Sequence, residues 1–338
     1  MESITILLAI GLALSFFMAW NLGANDAATP CDTAVGARVL TIRQAVLLFS
    51  FFAGIGAIMQ GFMNMKTISR GIVPRIDPVG AITVSLAAGL WSAFCTWRGL
   101  EISNTYTVVG SVIGYGLVVY GTFDYGVLSQ ILFSWVVSPF ASICLAFTLH
   151  KLMSRIFASY LNDHRFIRVI TFLLIASLCF SAYSFGANDV GNATGVYVAV
   201  TEEVVGLPDS MTMIALAALG ALGIAVGGLT WGPRVIETVA YHIVRIDVLS
   251  GFAAELTNAL VVYLFVTIPY IILGHGLPVS SSIVGIGAII GTAFARGRGL
   301  VDKNTLGRLV TTWLITLPTT AIVSAGLYIL LSRFVIIT

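Results

Sequence analysis

The sequence predicts an all-α polytopic membrane protein made of two inverted-topology repeats, with broken helices and re-entrant half-helices. The 338-residue chain is 58% hydrophobic and 9% charged, with a mean hydropathy of +1.00, whereas soluble domains carry about 25% charged residues. Eight apolar stretches are each long enough to cross a bilayer. In addition, Gly23-Ala24-Asn25-Asp26 recurs as Gly186-Ala187-Asn188-Asp189, with one copy in each half.

The eight long stretches are the predicted membrane spans. A bilayer core of about 30 Å needs roughly 20 apolar residues per helix. Stretches of this length lie near 3–22, 44–64, 79–97, 127–149, 166–185, 210–230, 250–273 and 309–332. They leave no room for a sizeable soluble domain. The net charge of +2, with Lys and Arg in short loops, leaves no nucleic-acid-binding face.

Three shorter apolar pieces, near 106–120, 190–200 and 283–295, are too short for full spans. Ser103-Asn104-Thr105 precedes the first piece, and Ser280-Ser281-Ser282 precedes the third. Such polar beginnings predict re-entrant half-helices. A membrane tolerates these only where protein or water covers the irregular backbone.

The Lys and Arg residues in short loops predict the orientation, because such loops stay cytoplasmic. The basic residues are Arg38 and Arg43 after the first span, Lys151, Arg155, Arg165 and Arg168 in the centre, and Arg296, Arg298, Lys303 and Arg308 near the end. The acidic loop at 202–209 should face outward. Both termini are then outside, and the first half crosses the membrane an odd number of times, which inverts the second half. We expect a first repeat at 1–149, a cytoplasmic linker at 150–168 and a second repeat at 169–338.

Further anchors support the internal repeat. The hydroxyl clusters that begin at Ser103 and Ser280 are offset by 177 positions, and Ser134-Trp135 resembles Thr312-Trp313 at an offset of 178. The Asn-Asp pairs are offset by 163. Loops of unequal length account for the difference.

Asp26 and Asp189 are the candidate cation ligands. An acid at membrane depth is costly and is usually kept for an ion or substrate path. The preceding glycines permit an unwound turn, whose carbonyls would join the Asp and Asn oxygens in a cage for a small cation. Glu255, at the start of an apolar stretch, is a further candidate. The alternatives are a helix break capped by Asn and Asp and, for Glu255, an acid facing the interface.

The hydroxyl clusters are the candidate anion site. A helix N-terminus offers free backbone N–H groups and a positive dipole end. Two opposed half-helix tips would surround a tetrahedral oxyanion with neutral donors. The candidate substrate-binding residues are Ser103, Asn104, Thr105, Ser280, Ser281, Ser282, Asn25 and Asn188. The alternative is that these hydroxyls only bond a neighbouring helix or the backbone.

The chain resembles the inorganic phosphate transporter (PiT) family of secondary carriers, phosphate and sulfate permeases. The motifs that carry the resemblance are Gly186-Ala187-Asn188-Asp189-Val190-Gly191-Asn192, Gly36-Ala37-Arg38-Val39-Leu40-Thr41, Gly251 to Glu255, Gly276-Leu277-Pro278-Val279-Ser280 and Ser134 to Pro139. The resemblance implies inverted repeats in the cell membrane, co-transport of inorganic phosphate with Na⁺ or H⁺, and a homodimer. The predicted coupling-cation residues are Asp26, Asp189, Asn192 and Glu255, with Asp26 and Asp189 as the metal ligands.

Several positions depart from the family pattern. Thr29 stands where the first signature has a second Asn, and Tyr106 and Ile283 stand where each hydroxyl motif has His. The glutamate that would pair with Glu255 from the first half is replaced by Ala53. These changes keep a sulfate permease as the alternative to a phosphate symporter.

Two other functional classes are less compatible with the sequence. A passive anion channel has no use for paired carboxylates unless they bind a coupling cation. An enzyme would need a nucleophile with its base, an HExxH motif or a phosphate-binding loop, and the sequence contains none of these. We therefore expect no enzyme activity and no cofactor besides the coupling ion.

Overall fold

A computed structural model describes residues 2–100, 102–160, 163–206, 209–242, 246–297 and 303–334. In these ranges the chain forms fourteen α-helices and two 3₁₀ turns, without a strand. The helices of the first half are α1 (Glu2–Asp26), α2 (Ala28–Gly36), α3 (Ile42–Gln60), α4 (Phe62–Arg70), α5 (Pro78–Trp97), α6 (Asn104–Val119) and α7 (Tyr125–Ile156). Those of the second half are α8 (His164–Thr194), α9 (Val198–Val205), α10 (Asp209–Thr230), α11 (Gly232–His242), α12 (Val248–Leu273), α13 (Ser281–Arg296) and α14 (Lys303–Leu331).

The predicted all-α membrane architecture is confirmed. Among the described residues, eight helices are long and apolar enough to cross a membrane, and they correspond to the eight predicted spans. They contain α1, α3, α5, α7, α8, α10, α12 and α14. The predicted half-helices after Ser103 and Ser280 are also present, as α6 and α13.

Side-chain caps set many of the helix starts. In each case an N-cap oxygen accepts a hydrogen bond from a backbone N–H of the first turn, which would otherwise have no partner. The caps are Thr41 for α3, Asp77 for α5, Ser103 for α6, Asp124 for α7, Asp163 for α8, Asp247 for α12 and Ser280 for α13.

Two local predictions were wrong. The piece near 190–200 is not a separate half-helix, because α8 runs to Thr194 and a 3₁₀ turn then leads into α9. The backbone also does not unwind at the Asn-Asp pairs: α8 is continuous through its copy, and α1 ends only after Asp26.

Close helix packing explains why glycine precedes both pairs. A Cβ at Gly23 would lie 1.9 Å from the carbonyl oxygen of Ile224, and one at Gly186 would lie 1.9 Å from that of Ala53. Only glycine permits this approach. Gly23 and Gly186 therefore bring α1 against α10 and α8 against α3, and neither opens a turn.

The main packing contacts between helices of the two halves have counterparts in which the first-half and second-half helices have changed places. Helix α1 packs on α10 as α8 packs on α3, and α6 packs on α14 as α13 packs on α7. Helix α5 lies against α1 and α6, as α12 lies against α8 and α13. The site is enclosed where α1, α8 and the two half-helices meet.

The bundle has two ends, which we call end A and end B. End A holds the start of α7, where Asp124 N donates to Ile72 O at 2.8 Å, and the ion pair between Arg75 and Glu203. End B holds the end of α7 and the start of α12, where His150 Nε2 lies 3.2 Å from Ser250 Oγ.

The half-helices return to the end at which the preceding long helix begins. At end A, Tyr115 of α6 donates to Asp77 Oδ2, the cap of α5, at 3.0 Å. At end B, Arg296 of α13 lies 3.4 Å from Asp247 Oδ2, the cap of α12. Thus α5 and α12 begin at opposite ends. The chain returns to its starting end after α5 and α6, and again after α12 and α13, so neither pair makes a net crossing of the bundle.

The predicted loops and boundaries can be placed on these ends. Arg296 lies at end B, whereas Glu202 and Glu203 of the acidic loop lie at end A. The linker predicted at 150–168 overlaps the end of α7 and the start of α8. Arg298 and residues 207–208 lie outside the described residues. The division into repeats and the orientation in the membrane remain predictions.

Candidate functional site

The site is built around the N-terminal tips of α6 and α13. Ser103 Oγ accepts from Tyr106 N and Ser280 Oγ accepts from Ile283 N, both at 3.3 Å. These caps satisfy the third N–H of each helix. The first two N–H groups of each tip have no acceptor within the helix, as α-helical geometry dictates.

The two tips hold each other by the same hydrogen bond made twice. Thr105 Oγ1 of α6 donates to Val279 O at 3.0 Å, and Ser282 Oγ of α13 donates to Ile102 O at 3.1 Å. Each bond joins a hydroxyl of one half to the carbonyl that precedes the other tip. The predicted opposition of the two hydroxyl clusters is therefore present in the structure.

Asp26 lies at one side of the joined tips and is 1% exposed. Its Oδ2 accepts from Asn104 Nδ2 at 3.0 Å, and its Oδ1 lies 3.2 Å from Ser282 Oγ, whose single proton is shared with Ile102 O. One partner comes from each half-helix. The carboxylate at the end of α1 thus contacts both tips.

Asp189 takes the corresponding place on α8 and is also 1% exposed. Its oxygens accept from Asn188 Nδ2 at 2.8 Å and Asn192 Nδ2 at 2.9 Å. The hydroxyls of Ser281 and Thr105 also bond to it. With the halves exchanged, Ser281 matches Asn104 and Thr105 matches Ser282, so the two aspartates make equivalent contacts with the tips.

The asparagines before the aspartates hold the chain that leads into each tip. Asn25 Oδ1 accepts from Ile102 N at 2.9 Å, and its Nδ2 donates to Leu100 O at 2.9 Å. Asn188 Oδ1 accepts from Val279 N at 3.2 Å, and its Nδ2 donates to Val279 O at 2.8 Å. Both amides, predicted to bind substrate, therefore have backbone partners that position the tips.

Glu255 lies in a separate buried cluster. Its Oε2 accepts from Thr33 Oγ1 of α2 at 2.5 Å, and it also bonds to Ser181 and Asn258. The cluster lies beside α13, because a Cβ at Gly285 would be 3.7 Å from Asn258 Cγ. Glu255 is therefore close to the half-helix, about one turn beyond Ser282.

The structure corrects one pairing across the repeat. Asp77 and Asp247 cap α5 and α12 in the same way, each accepting from the backbone N–H three residues on. This register places Ser85, not Ala53, at the position of Glu255. Ala53 lies on α3, whose counterpart in helix order is α10.

Two buried polar residues of the site region were not predicted from the sequence. Asn64 Nδ2 donates to Asn188 Oδ1 at 2.9 Å, and Asp32 lies on α2 next to Thr33 with 2% exposure. An amide at the end of the second apolar stretch and an acid six residues after Asp26 were the available signals.

Several buried oxygens near the carboxylates accept no hydrogen bond from the described residues: Asn104 Oδ1, Asn192 Oδ1, Asn258 Oδ1 and Glu255 Oε1. An acceptor in a dry environment needs a donor or a cation. In the described ranges, no three His, Cys, Asp or Glu side chains converge as in a transition-metal site. The oxygen-rich surroundings suit a hard, weakly held cation.

Comparisons with known proteins identify the family of the chain. The model of the family described as "Phosphate transporter family" matches residues 22–324. A relative from Thermococcus kodakarensis named "Putative phosphate permease" is 29% identical over 95% of this chain and 97% of its own length. The chloroplastic inorganic phosphate transporter 2-1 of Arabidopsis thaliana is 26% identical over 96% of this chain and 73% of its own. A solved structure titled "The sodium-dependent phosphate transporter" is similar with a TM-score of 0.88 and 28% identity, covering 98% of this chain and all of that one.

Proposed function

The chain belongs to the phosphate transporter family, and we propose that it is a symporter that carries inorganic phosphate across the membrane with Na⁺ or H⁺. The similar solved structure is titled sodium-dependent, which favours Na⁺ as the coupling ion. The observation that carries the proposal is the meeting of two half-helix tips between two buried aspartates.

The tips would bind the anion. The N–H groups of Asn104, Thr105, Ser281 and Ser282 have no acceptor within their helices, and two positive dipole ends converge there. Neutral donors of this kind hold an oxyanion without a fixed positive charge, so release remains possible. Because Asn25 and Asn188 hold the chain before each tip, we assign them to positioning of these donors.

The aspartates would bind the coupling cations. A phosphate dianion at the tips faces the carboxylates of Asp26 and Asp189, which touch the same hydroxyls. Buried like charges repel strongly at short distance. Cations held by the carboxylates and by Asn104 Oδ1 and Asn192 Oδ1 would remove this repulsion, so that anion and cation bind together.

We propose that the halves are inverted repeats that open the site alternately to each side. The opposite directions of α5 and α12, and the return of α6 and α13 to ends A and B, support this arrangement. Each half then crosses the membrane three times in net terms. In the first half, α1, α3 and α7 make these crossings. A homodimer remains a prediction from the family resemblance.

The decisive experiment is uptake of labelled phosphate into vesicles that contain the purified protein. We expect uptake to require an inward Na⁺ or H⁺ gradient and to exceed uptake of labelled sulfate. Phosphate carries a proton at neutral pH that needs an acceptor, whereas sulfate carries none, so a site with unpaired oxygens should distinguish them.

Three results would contradict the proposal in different ways. Phosphate flux that is independent of every cation gradient would indicate a passive channel. Uptake of sulfate in preference to phosphate would replace the substrate but keep the symport. Absence of uptake of either anion under all gradients would refute the transport function.

A further inference from the structure

A cavity of about 420 Å³ lies at end B between α7, α8, α12 and α13. Its volume falls within the range of about 300–1,000 Å³ that is typical of ligand pockets. It is remote from the transport site, because α13 separates Arg296 in the cavity wall from Ser281 at the tip by about 22 Å of helix. The cavity is therefore separate from the transport site.

One wall of the cavity is a chain of polar groups. Arg296 Nε lies 3.4 Å from Asp247 Oδ2, which accepts from Ser250 Oγ at 3.0 Å. Ser250 Oγ lies 3.2 Å from His150 Nε2, and His150 Nδ1 lies 3.4 Å from Ser154 Oγ. This series of polar groups links α13, α12 and α7, and all of its residues except Ser250 line the cavity.

The remaining wall is apolar. It is formed by Phe166, Ile167, Ile170, Val248 and Leu249. Ile167 is 39% exposed and belongs to the membrane-spanning helix α8, so the apolar wall is continuous with the outer surface of that helix. A small hydrophilic anion would leave this wall without a partner, and a plain hydrocarbon would leave the polar wall unmatched. The cavity suits an amphiphile with one polar head.

The charges around the cavity select an anionic head. Five basic residues line the cavity or adjoin a lining residue in sequence: Lys151, Arg155, Arg165, Arg168 and Arg296. In the same set of described residues the acid is Asp247, and Asp163 lies two residues before Arg165. Asp247 already accepts from Ser250 N, Ser250 Oγ and Arg296. The lining residues and their neighbours in sequence therefore carry more positive than negative charge.

We propose that this cavity binds one anionic phospholipid of the membrane leaflet at end B. An acyl chain would lie against Ile167, Ile170 and Leu249, and the phosphate would lie near Arg296 and His150. Basic pockets between transmembrane helices bind anionic head groups in this way. The lipid would join α13 to α7 and α8 at the end of α13 opposite its tip.

Native mass spectrometry of the whole protein tests the proposal. The protein is extracted from vesicles of phosphatidylcholine alone or of phosphatidylcholine with phosphatidylglycerol. We expect retention of one phosphatidylglycerol per chain in preference to phosphatidylcholine. Arg296→Gln should reduce the retained fraction at least severalfold, and Leu249→Trp, which fills the cavity, should do the same.

Arg308→Gln is the matched control, because it removes an exposed arginine from α14 away from the cavity, and it should retain the lipid. Circular dichroism checks that each variant is folded. If Leu249→Trp does not fold, the lipid retention of Arg296→Gln alone tests the proposal. Equal retention of both lipids by the wild type, or unchanged retention by Arg296→Gln, would overturn the proposal. Displacement of the lipid by millimolar inorganic phosphate would show that the cavity takes the free anion, which also overturns it.

Discussion

Ser282 Oγ donates a hydrogen bond of 3.2 Å to Asp26 Oδ1 across 256 positions of the chain. The hydroxyl belongs to the second half-helix and the carboxylate to the first repeat, so neither half contains a complete site. The equivalent contact joins Thr105 of the first half to Asp189 of the second half. The groups that we propose to bind anion and cation therefore touch at two related places, which would give coupling between them a structural basis.

Neutralising either aspartate should abolish coupled uptake. Asp26→Asn and Asp189→Asn keep the shape of the side chain but remove the charge that would hold the cation next to the anion. We expect folded, normally expressed protein without gradient-driven phosphate uptake in vesicles. Asp124→Asn is the control, because Asn caps α7 as well as Asp does, and it should transport normally. Near-normal, cation-dependent uptake by both site variants would refute the assignment.

Removing a tip hydroxyl should weaken phosphate binding more than cation binding. A lost donor to a charged group costs about 1.5–3 kcal/mol, which is roughly 10- to 150-fold in affinity. Ser281→Ala and Thr105→Val should show this loss in the phosphate concentration for half-maximal uptake. Thr148→Val, which alters a hydroxyl bonded within its own helix, should have no effect. A collapse of Na⁺ binding with intact phosphate affinity would reverse the assigned roles.

Glu255 should contribute to cation affinity. Its Oε1 and Asn258 Oδ1 are buried acceptors without a donor among the described residues, so a cation close to them is favoured. Glu255→Gln should raise the half-saturating Na⁺ concentration by about tenfold, or about 1.4 kcal/mol. Glu237→Gln makes the same change on the exposed face of α11 and should leave it unaltered. An unchanged Na⁺ dependence of Glu255→Gln would remove this residue from the coupling site.

Gly186→Ala should destabilise the fold. Its Cβ would meet Ala53 O at 1.9 Å, so α8 and α3 would have to separate. Overpacking of this kind costs about 1–3 kcal/mol. Gly326→Ala adds a Cβ with no atom within 4 Å and should keep or slightly raise the thermal midpoint in detergent. Equal midpoints for the two variants would show that the close contact does not limit the packing.

Cysteine labelling of intact cells tests the orientation, on a background without Cys31, Cys95, Cys144 and Cys179. Thr122→Cys at end A and a cysteine near Glu2 should react with an impermeant reagent. Ser159→Cys at end B should react only after the membrane is opened. Labelling of both ends from one side would imply an even number of crossings and exclude inverted repeats. The reverse pattern would keep the inversion but place the central loop outside.

The amino-acid sequence was sufficient to locate the membrane spans and the paired polar motifs. The thickness of the bilayer sets the length of apolar sequence that a span needs. Each of the eight spans could therefore be located without knowing which helices pack against it. The paired Asn-Asp and hydroxyl motifs were visible because costly polar groups stand out in apolar sequence. The starts of α6 and α13 followed from Ser103 and Ser280, since capping depends on residues within one turn.

Which of these residues contact one another depends on the packing of the helices and could not be predicted from the sequence. The bond from Ser282 to Asp26, the positioning role of Asn25 and Asn188, and the pairing of Glu255 with Thr33 join segments far apart in the chain. Such contacts depend on helix packing, where Gly23 and Gly186 allow backbones to touch. The helices are wound at the Asn-Asp pairs, where the sequence predicts an unwound turn, and the preceding glycines serve close packing. Local periodicity carries no information about such distant partners.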